Sequence, residues 1–263
     1  MSSVLYDVPG PKARRLSRRL TWLAALLVAA GLGWIAYSLS QAGLLAPELW
    51  TALLNPNLVT LLAGGLLATI EVALLSMVLS LIFGALLAAG LLSGSNWLVG
   101  VLRGYVELFR GLPLLLLIFF IFLGGPAIGV DVPTFWSLVI GLVLYNTAVI
   151  AEIFRAGILS LPRGQIEAGL AIGLSEAEVF RIILLPQSIR RMLPALISQL
   201  VVVVKETSFG FIIGYTELLR DARTAVEFLG GSYSLPVYTL VAIIYIVINS
   251  LLSWVAERTQ RIL

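Results

Sequence analysis

Lys205 and Glu206 fall inside the apolar stretch Leu193 to Gly214, and Tyr145 and Asn146 inside the stretch Phe135 to Ile158. A charge in a hydrocarbon span costs about 3 kcal/mol on insertion scales and defaults to a functional role. At about 1.5 Å per residue from Leu193, Lys205 lies roughly 18 Å along its helix, near the midplane. Ser198 precedes it by seven residues and Ser208 follows by three, so both share its helical face, with Thr207 adjoining. Lys205 therefore lines a polar path or organises its wall, or else closes an ion pair with Glu206 or with a carboxylate of another span. Tyr145 and Asn146 can hold the ammonium or carboxylate of a small zwitterion, or glue two helices together. Thr69, Ser76 and Ser80 form the polar side of a third apolar run, with Glu71 facing either a pore or an interface. Glu152 and Arg155, three residues apart, pair most simply with each other and join Glu107 and Arg110 in bracing one edge of the helices. None of this is covalent chemistry. With no histidine and no cysteine, imidazole bases, thiol nucleophiles and the usual zinc ligands are missing, and no metal site is expected.

The elements that position these groups follow from composition. Hydrophobic residues make up 60% of the 263 and charged residues 12%, with a mean hydropathy of +1.04, against roughly 25% charged in soluble domains. The expected class is an all-α polytopic membrane protein. A span needs about 20 mostly apolar residues, and six stretches qualify: Thr21 to Ser38, Leu61 to Leu92, Leu112 to Gly129, Phe135 to Ile158, Leu193 to Gly214 and Val237 to Val255. The second is too long for one straight crossing and is expected to tilt or emerge.

Lys and Arg accumulate on the cytoplasmic side, and placing the N-terminus there puts fourteen of the seventeen inside. Both termini are thus expected in the cytoplasm. Residues 1–20 read as a basic cytoplasmic N-terminus and 21–60 as the first transmembrane helix plus an external segment whose Trp50 suits an interfacial helix. Residues 61–256 read as the transport core and 257–263 as a cytoplasmic tail. The basic start and apolar run are read as a retained helix, since no A-x-A cleavage site follows. The basic residues are scattered over short loops, which excludes a nucleic-acid groove despite the net charge of +3.

The longest polar interruption, about 159–192, lies between the fourth and fifth spans on the cytoplasmic side. Gln165 to Ile172 is expected to form a short helix stopping at Gly173, a residue free to take positive φ. Ser175 with Glu178 three residues on is a capping box that starts a second helix, ended by Pro186. Ala168, Gly169, Leu170 and Ala171 make a small-residue face, suited to a protein partner or to packing under the helix bundle.

Glu167, Ala168 and Gly169, followed by Gly173, Ile183, Leu185 and Pro186, resemble the EAA loop of ABC importer permeases, with Gly169 where the third alanine usually stands. Four phrases in order resemble the polar amino acid branch of that family: YVELFRGLPLLL (Tyr105 to Leu116), YNTAVIAEIFRAGILSLPRGQIEAG (Tyr145 to Gly169), RIILLPQSIRRMLPAL (Arg181 to Leu196) and KETSFGFIIG (Lys205 to Gly214). The match extends over roughly Leu61 to Trp254 and is most like glutamate-type permeases, with Glu206 where aspartate is more usual. The resemblance implies a bacterial inner-membrane complex of two permease subunits, identical or homologous, two ATPase subunits that hold ATP and Mg, and an extracytoplasmic solute-binding protein. It further implies that Glu167, Ala168, Gly169, Leu170, Ala171, Gly173 and Leu174 couple to the ATPase, and that this chain has no cofactor beyond surrounding membrane lipid. The chain has no G-x-x-x-x-G-K-[ST] phosphate loop, so ATP hydrolysis is expected in the partner. The rival is a secondary amino acid transporter driven by an ion gradient, which would show intramembrane carboxylates and an internal repeat. Here the carboxylates cluster near span ends and no repeat is present.

Overall fold

The computed structural model describes residues 10–262, with side chains through 258. The first nine residues of the predicted basic segment, Leu263 and the side chain of Arg261 lie outside the described residues. The chain falls into two compact units, Met1–Asn55 and Pro56–Leu263.

In the first unit α1 runs from Pro11 to Gln41, ten residues earlier than the apolar stretch suggests. Pro11 occupies the first turn, where its missing N–H costs nothing, and the basic residues Lys12 to Arg19 continue the same helix. Every described residue to Ala36 is exposed. Gly43, at φ +72°, turns the chain, and the predicted interfacial helix contracts to α2, Pro47–Thr51, followed by the single 3₁₀ turn Ala52–Leu54.

The second unit starts at Pro56 with α3, Pro56–Leu91, 36 unbroken residues. At about 1.5 Å per residue it is roughly 54 Å long, far beyond the ~30 Å hydrocarbon core. Then come α4, Asn96–Gly111, α5, Leu114–Ala127, and α6, Thr134–Leu159. The polar interruption holds α7, Arg163–Ala171, and the single turn α8, Glu176–Glu178. A π-helical turn, Val179–Leu184, leads into α9, Leu185–Glu206, which tightens to 3₁₀ over Thr207–Phe211. Last are α10, Leu218–Leu229, a 3₁₀ turn Gly231–Tyr233, and α11, Ser234–Ile262.

Helix α6 is the hub, packed on α3, α4, α5 and α9. Its fully buried Leu138 and Leu142 meet Val72 of α3, Ile118 of α5 and Ile213 after α9 in one apolar cluster. Every regular element among the described residues is helical, as lipid requires of a chain that satisfies its own backbone groups.

Two expectations about the spans change. Among the described residues five helical runs are long and apolar enough to cross a membrane; the sixth expected span, a straight Leu112 to Gly129, is replaced by a pair of helices, α4 and α5, bent by 97°. The bend falls at Leu112, whose ψ of 134° is extended, because the following Pro113 disfavours the α conformation for the residue before it. Helix α4 itself was not anticipated. Nor does Pro186 end the helix after Ser175. The helical path is continuous from Glu176 to Phe211, since the widened π turn immediately before Pro186 shifts the hydrogen-bond register around a residue with no N–H to donate.

Candidate functional site

Helix α7 ends as the glycine predicts. Gly173 adopts φ +90°, its N–H donates to Leu170 O at 3.0 Å, and the Leu174 N–H donates to Gly169 O at 3.2 Å. This pair of bonds is a Schellman cap, which needs the left-handed conformation at its glycine. Immediately after it the capping box forms in full: Glu178 N–H donates to Ser175 Oγ at 3.4 Å, and Ser175 N–H donates to Glu178 Oε2 at 2.8 Å. Ser160, Gln165, Gln187 and Arg191 fasten the corner to its flanks. Gln165 Nε2 donates to Gln187 Oε1 at 3.0 Å, and Arg191 donates to Ser160 O at 2.8 Å.

Gly169 does not belong to an outward face. It is buried, and a Cβ there would lie 2.7 Å from Val179 Cγ2 and 3.0 Å from Ile183 Cδ1. The absent side chain is what lets α7 lie close on the π turn. The outward surface consists of Glu167, Ala168, Leu170 and Ala171, widened by the exposed apolar residues Ile166 and Ile172.

Among the membrane residues Asn146 is fully buried. Its Nδ2 donates to Leu142 O at 2.9 Å and to Glu206 Oε2 at 3.1 Å, while its Oδ1 accepts from Gln199 Nε2 at 2.6 Å. Asn146 thus fastens α6 to α9, and Tyr145 beside it packs against the apolar cluster. The Glu206 carboxylate turns toward Asn146, and Lys205, the next residue on the helix, points elsewhere. Among the described residues Lys205 forms no salt bridge. It is exposed at the last turn of α9 and lines a groove of about 870 Å³ with Ser208 and Leu219 on one side and Tyr245, Asn249 and Glu257 of α11 on the other. Lys205 and Ser208 both line this groove, where α9 tightens to 3₁₀ near the end of the helical run.

The other predicted path residues separate. Ser198 is exposed, its hydroxyl donating to Pro194 O at 2.9 Å. Thr207 is fully buried and donates to Val204 O at 2.8 Å. Ser76 and Ser80 are fully buried, with no hydrogen-bond partner among the described residues. Thr69 is also fully buried, and its hydroxyl accepts the Leu218 N–H at 3.2 Å. Of the bracing charges, Glu152 and Arg155 form a two-pronged pair, with Arg155 Nη2 at 2.8 Å and Nε at 3.1 Å from the carboxylate. Glu107 and Arg110 are exposed and form no salt bridge among the described residues, although Arg110 and Arg103 lie within electrostatic reach of Glu152.

Sequence reasoning missed Glu217. This carboxylate is fully buried and caps α10, accepting from Leu219 N–H and Arg220 N–H at 2.9 Å each and from the Tyr245 hydroxyl at 3.0 Å. With the Leu218 N–H bonded to Thr69 and the Glu217 N–H donating to Tyr215 O at 3.1 Å, all four N–H groups that open the helix are satisfied. The available signal was an acidic residue just before an amphipathic run, a weak one because Glu is not among the preferred N-caps.

Residues 80–261 match the family model described as the binding-protein-dependent transport system inner membrane component. The chain belongs to that family. The permease is 37% identical over 228 residues to the glutamate transport system permease protein GluD of Corynebacterium glutamicum, covering 85% of this chain and 82% of that protein. It is also 37% identical over 202 residues to the probable glutamine ABC transporter permease protein GlnP of Bacillus subtilis, covering 74% and 90% respectively. A solved structure described as an amino acid ABC transporter with histidines superposes with a TM-score of 0.76 at 28% identity, over 81% of this chain and 98% of that one. The family match begins within α3 and takes in the corner at Gly173, the groove and α10. The permease is a multi-pass protein of the cytoplasmic membrane.

Proposed function

We propose that this permease is one of two membrane subunits, identical or homologous, of an ATP-driven importer for polar amino acids, with L-glutamate the first substrate to test. The carrying observation is the capped corner at Gly173, a rigid element that offers exposed Ile166, Leu170 and Ile172 beside Glu167. Exposed apolar side chains on a short, hydrogen-bonded element suit a protein cleft. In this reading both termini and α7 are cytoplasmic, and α7 sits in an ATPase subunit that holds ATP and Mg. Closure of the ATPase pair pushes α7, and because Glu176 to Phe211 is one continuous helical path, the push reaches Lys205 without a flexible joint. The transition is rigid-body alternating access.

On the opposite side a solute-binding protein delivers the amino acid. Lys205 then supplies positive charge to the solute carboxylate in the groove, with Ser208 adding a hydroxyl. The names of the glutamate and glutamine relatives favour this substrate class.

Pull-down of the tagged permease tests the coupling. It is expected to retain an ATPase subunit, and Leu170→Asp with Ile172→Asp is expected to lose it while inserting normally. Retention by the double variant would move the docking surface away from α7. Lys205→Met is expected to depress uptake without releasing the ATPase, and unchanged uptake kinetics would remove Lys205 from the path.

A further inference from the structure

Helix α10 is held at its N-terminal turn by groups from two other helices. It is strongly amphipathic, lies between α3 and α11, and is flanked by Gly214 at φ +84° and Gly230 at φ +106°. Glycines with that conformation mark a turn of the chain at each end of the helix. Its N-terminal turn is clamped. Gly65 of α3 permits the approach, since a Cβ there would stand 2.9 Å from Leu218 Cα, and Thr69 and Glu217 together satisfy the first backbone donors.

Tyr245 belongs to two sites at once. Its hydroxyl donates to Glu217 Oε2 at 3.0 Å, with the Thr69 and Thr207 hydroxyls beside the phenol, while the same residue lines the groove together with Lys205 and Leu219 of α10. One turn further along α11, Asn249 lines the groove as well. Its Nδ2 donates to Tyr245 O at 2.6 Å, and its Oδ1 is buried without a partner. A buried acceptor with no donor is costly, so Asn249 Oδ1, itself closed off from solvent, holds an unsatisfied demand for an N–H or O–H close to Tyr245.

We propose that Tyr245 and Glu217 are positioning residues that latch α10 to the state of the groove. An occupant that donates to Asn249, such as the ammonium group of an amino acid, displaces the Tyr245 side chain, and its hydroxyl leaves Glu217. The cap then loses its link to α11 and α10 shifts about its flanking glycines. Glutamate at 217 suits this role because its extra methylene spans both the backbone donors and the tyrosine. Aspartate would cap the helix and fall short of Tyr245.

The proposal rests on the reading of the groove as part of the transport path, and the experiment separates the two. Tyr245→Phe, Glu217→Asp and Lys205→Met are compared in the purified complex with its ATPase, using L-glutamate and its binding protein as the probe. Tyr245→Phe and Glu217→Asp are both expected to lower the maximal uptake rate and the substrate-stimulated ATPase rate about tenfold, with subunit assembly unchanged. Wild-type uptake by Tyr245→Phe overturns the latch, whatever Lys205→Met does. Impaired Tyr245→Phe beside a silent Lys205→Met upholds the latch and overturns the path reading of Lys205.

A second measurement needs no change at the latch. The chain has no cysteine, so Leu67→Cys on α3 and Phe228→Cys on α10, both exposed, accept a spin-label pair. Addition of the probe is expected to shift the inter-label distance, and an unchanged distance in a transporting complex overturns the latch.

Discussion

Asn146 shows how a single polar residue is spent inside a membrane protein. Its three hydrogen bonds run to its own helix, to Glu206 and to Gln199, so replacing it removes two hydrogen bonds between α6 and α9 and strips a partner from a half-buried carboxylate. Interhelical bonds in lipid are individually modest, but an orphaned carboxylate adds its desolvation penalty. Asn146→Leu is therefore expected to cost about 2 kcal/mol, read as an earlier midpoint in reversible unfolding of the detergent-solubilised subunit; a midpoint within error of wild type would mean that water takes over both bonds. Asn146 was legible as a polar residue in a span, and the sequence left its two uses open. In the structure Asn146 bridges helices through Gln199 and Glu206, which lie 53 and 60 residues away, beyond the reach of any local pattern.

Two elements depend on glycine for different reasons, and each makes its own prediction. At Gly173 nothing lies within 4 Å of an added Cβ, yet φ is +90°, so the cost of substitution is purely conformational. Gly173→Val is expected to strain the corner by about 1–2 kcal/mol and to uncouple ATP hydrolysis from uptake, with insertion unchanged; coupled uptake at the normal ratio of solute to ATP would remove the lever. At Gly65 the conformation is ordinarily helical and the obstacle is Leu218 backbone at 2.9 Å with Asp221 Oδ2 at 2.7 Å. Backbone cannot rotate away, so Gly65→Leu is expected to push α10 off α3 at a cost of about 1–3 kcal/mol, seen as faster proteolysis near Gly230. The Gly173 corner was readable because Schellman glycines and capping boxes are local and carry residue-type signatures. The Gly65 contact was not, because its partner is 153 residues further on in sequence.

For the molecule as a whole, the bent pair α4 and α5 decides how many times the chain crosses. If the pair spans, crossings are even and both ends share a side, as the distribution of Lys and Arg requires. Cysteines placed singly at exposed Val130 and Ile172 are expected to react with a membrane-impermeant maleimide from opposite faces in intact cells, Val130→Cys from outside and Ile172→Cys only after permeabilisation. The reverse pattern, Ile172→Cys labelled in intact cells and Val130→Cys only after permeabilisation, would turn the pair into a re-entrant loop, because α6 separates the two positions in either case. Energy supply is a molecular property too. Uptake is expected to survive collapse of the ion gradients by an ionophore and to stop on ATP depletion, the reverse of what a gradient-driven carrier would do.

By itself, the sequence determined the class, the family resemblance, five of the spans and the shape of the corner at Gly173. These follow from hydrophobicity, helical spacing and cap chemistry, which act between residues no more than about a turn or a span apart. Only the tertiary structure decided that Gly169 faces inward, that Thr69 and Thr207 are fully buried, and that Lys205 and Ser208 share a groove with α11. It also brought Glu217 and Tyr245 together, 28 residues apart. A helix can turn a polar side chain toward lipid, a neighbour or a cavity with the same local sequence, and packing against distant helices selects among them.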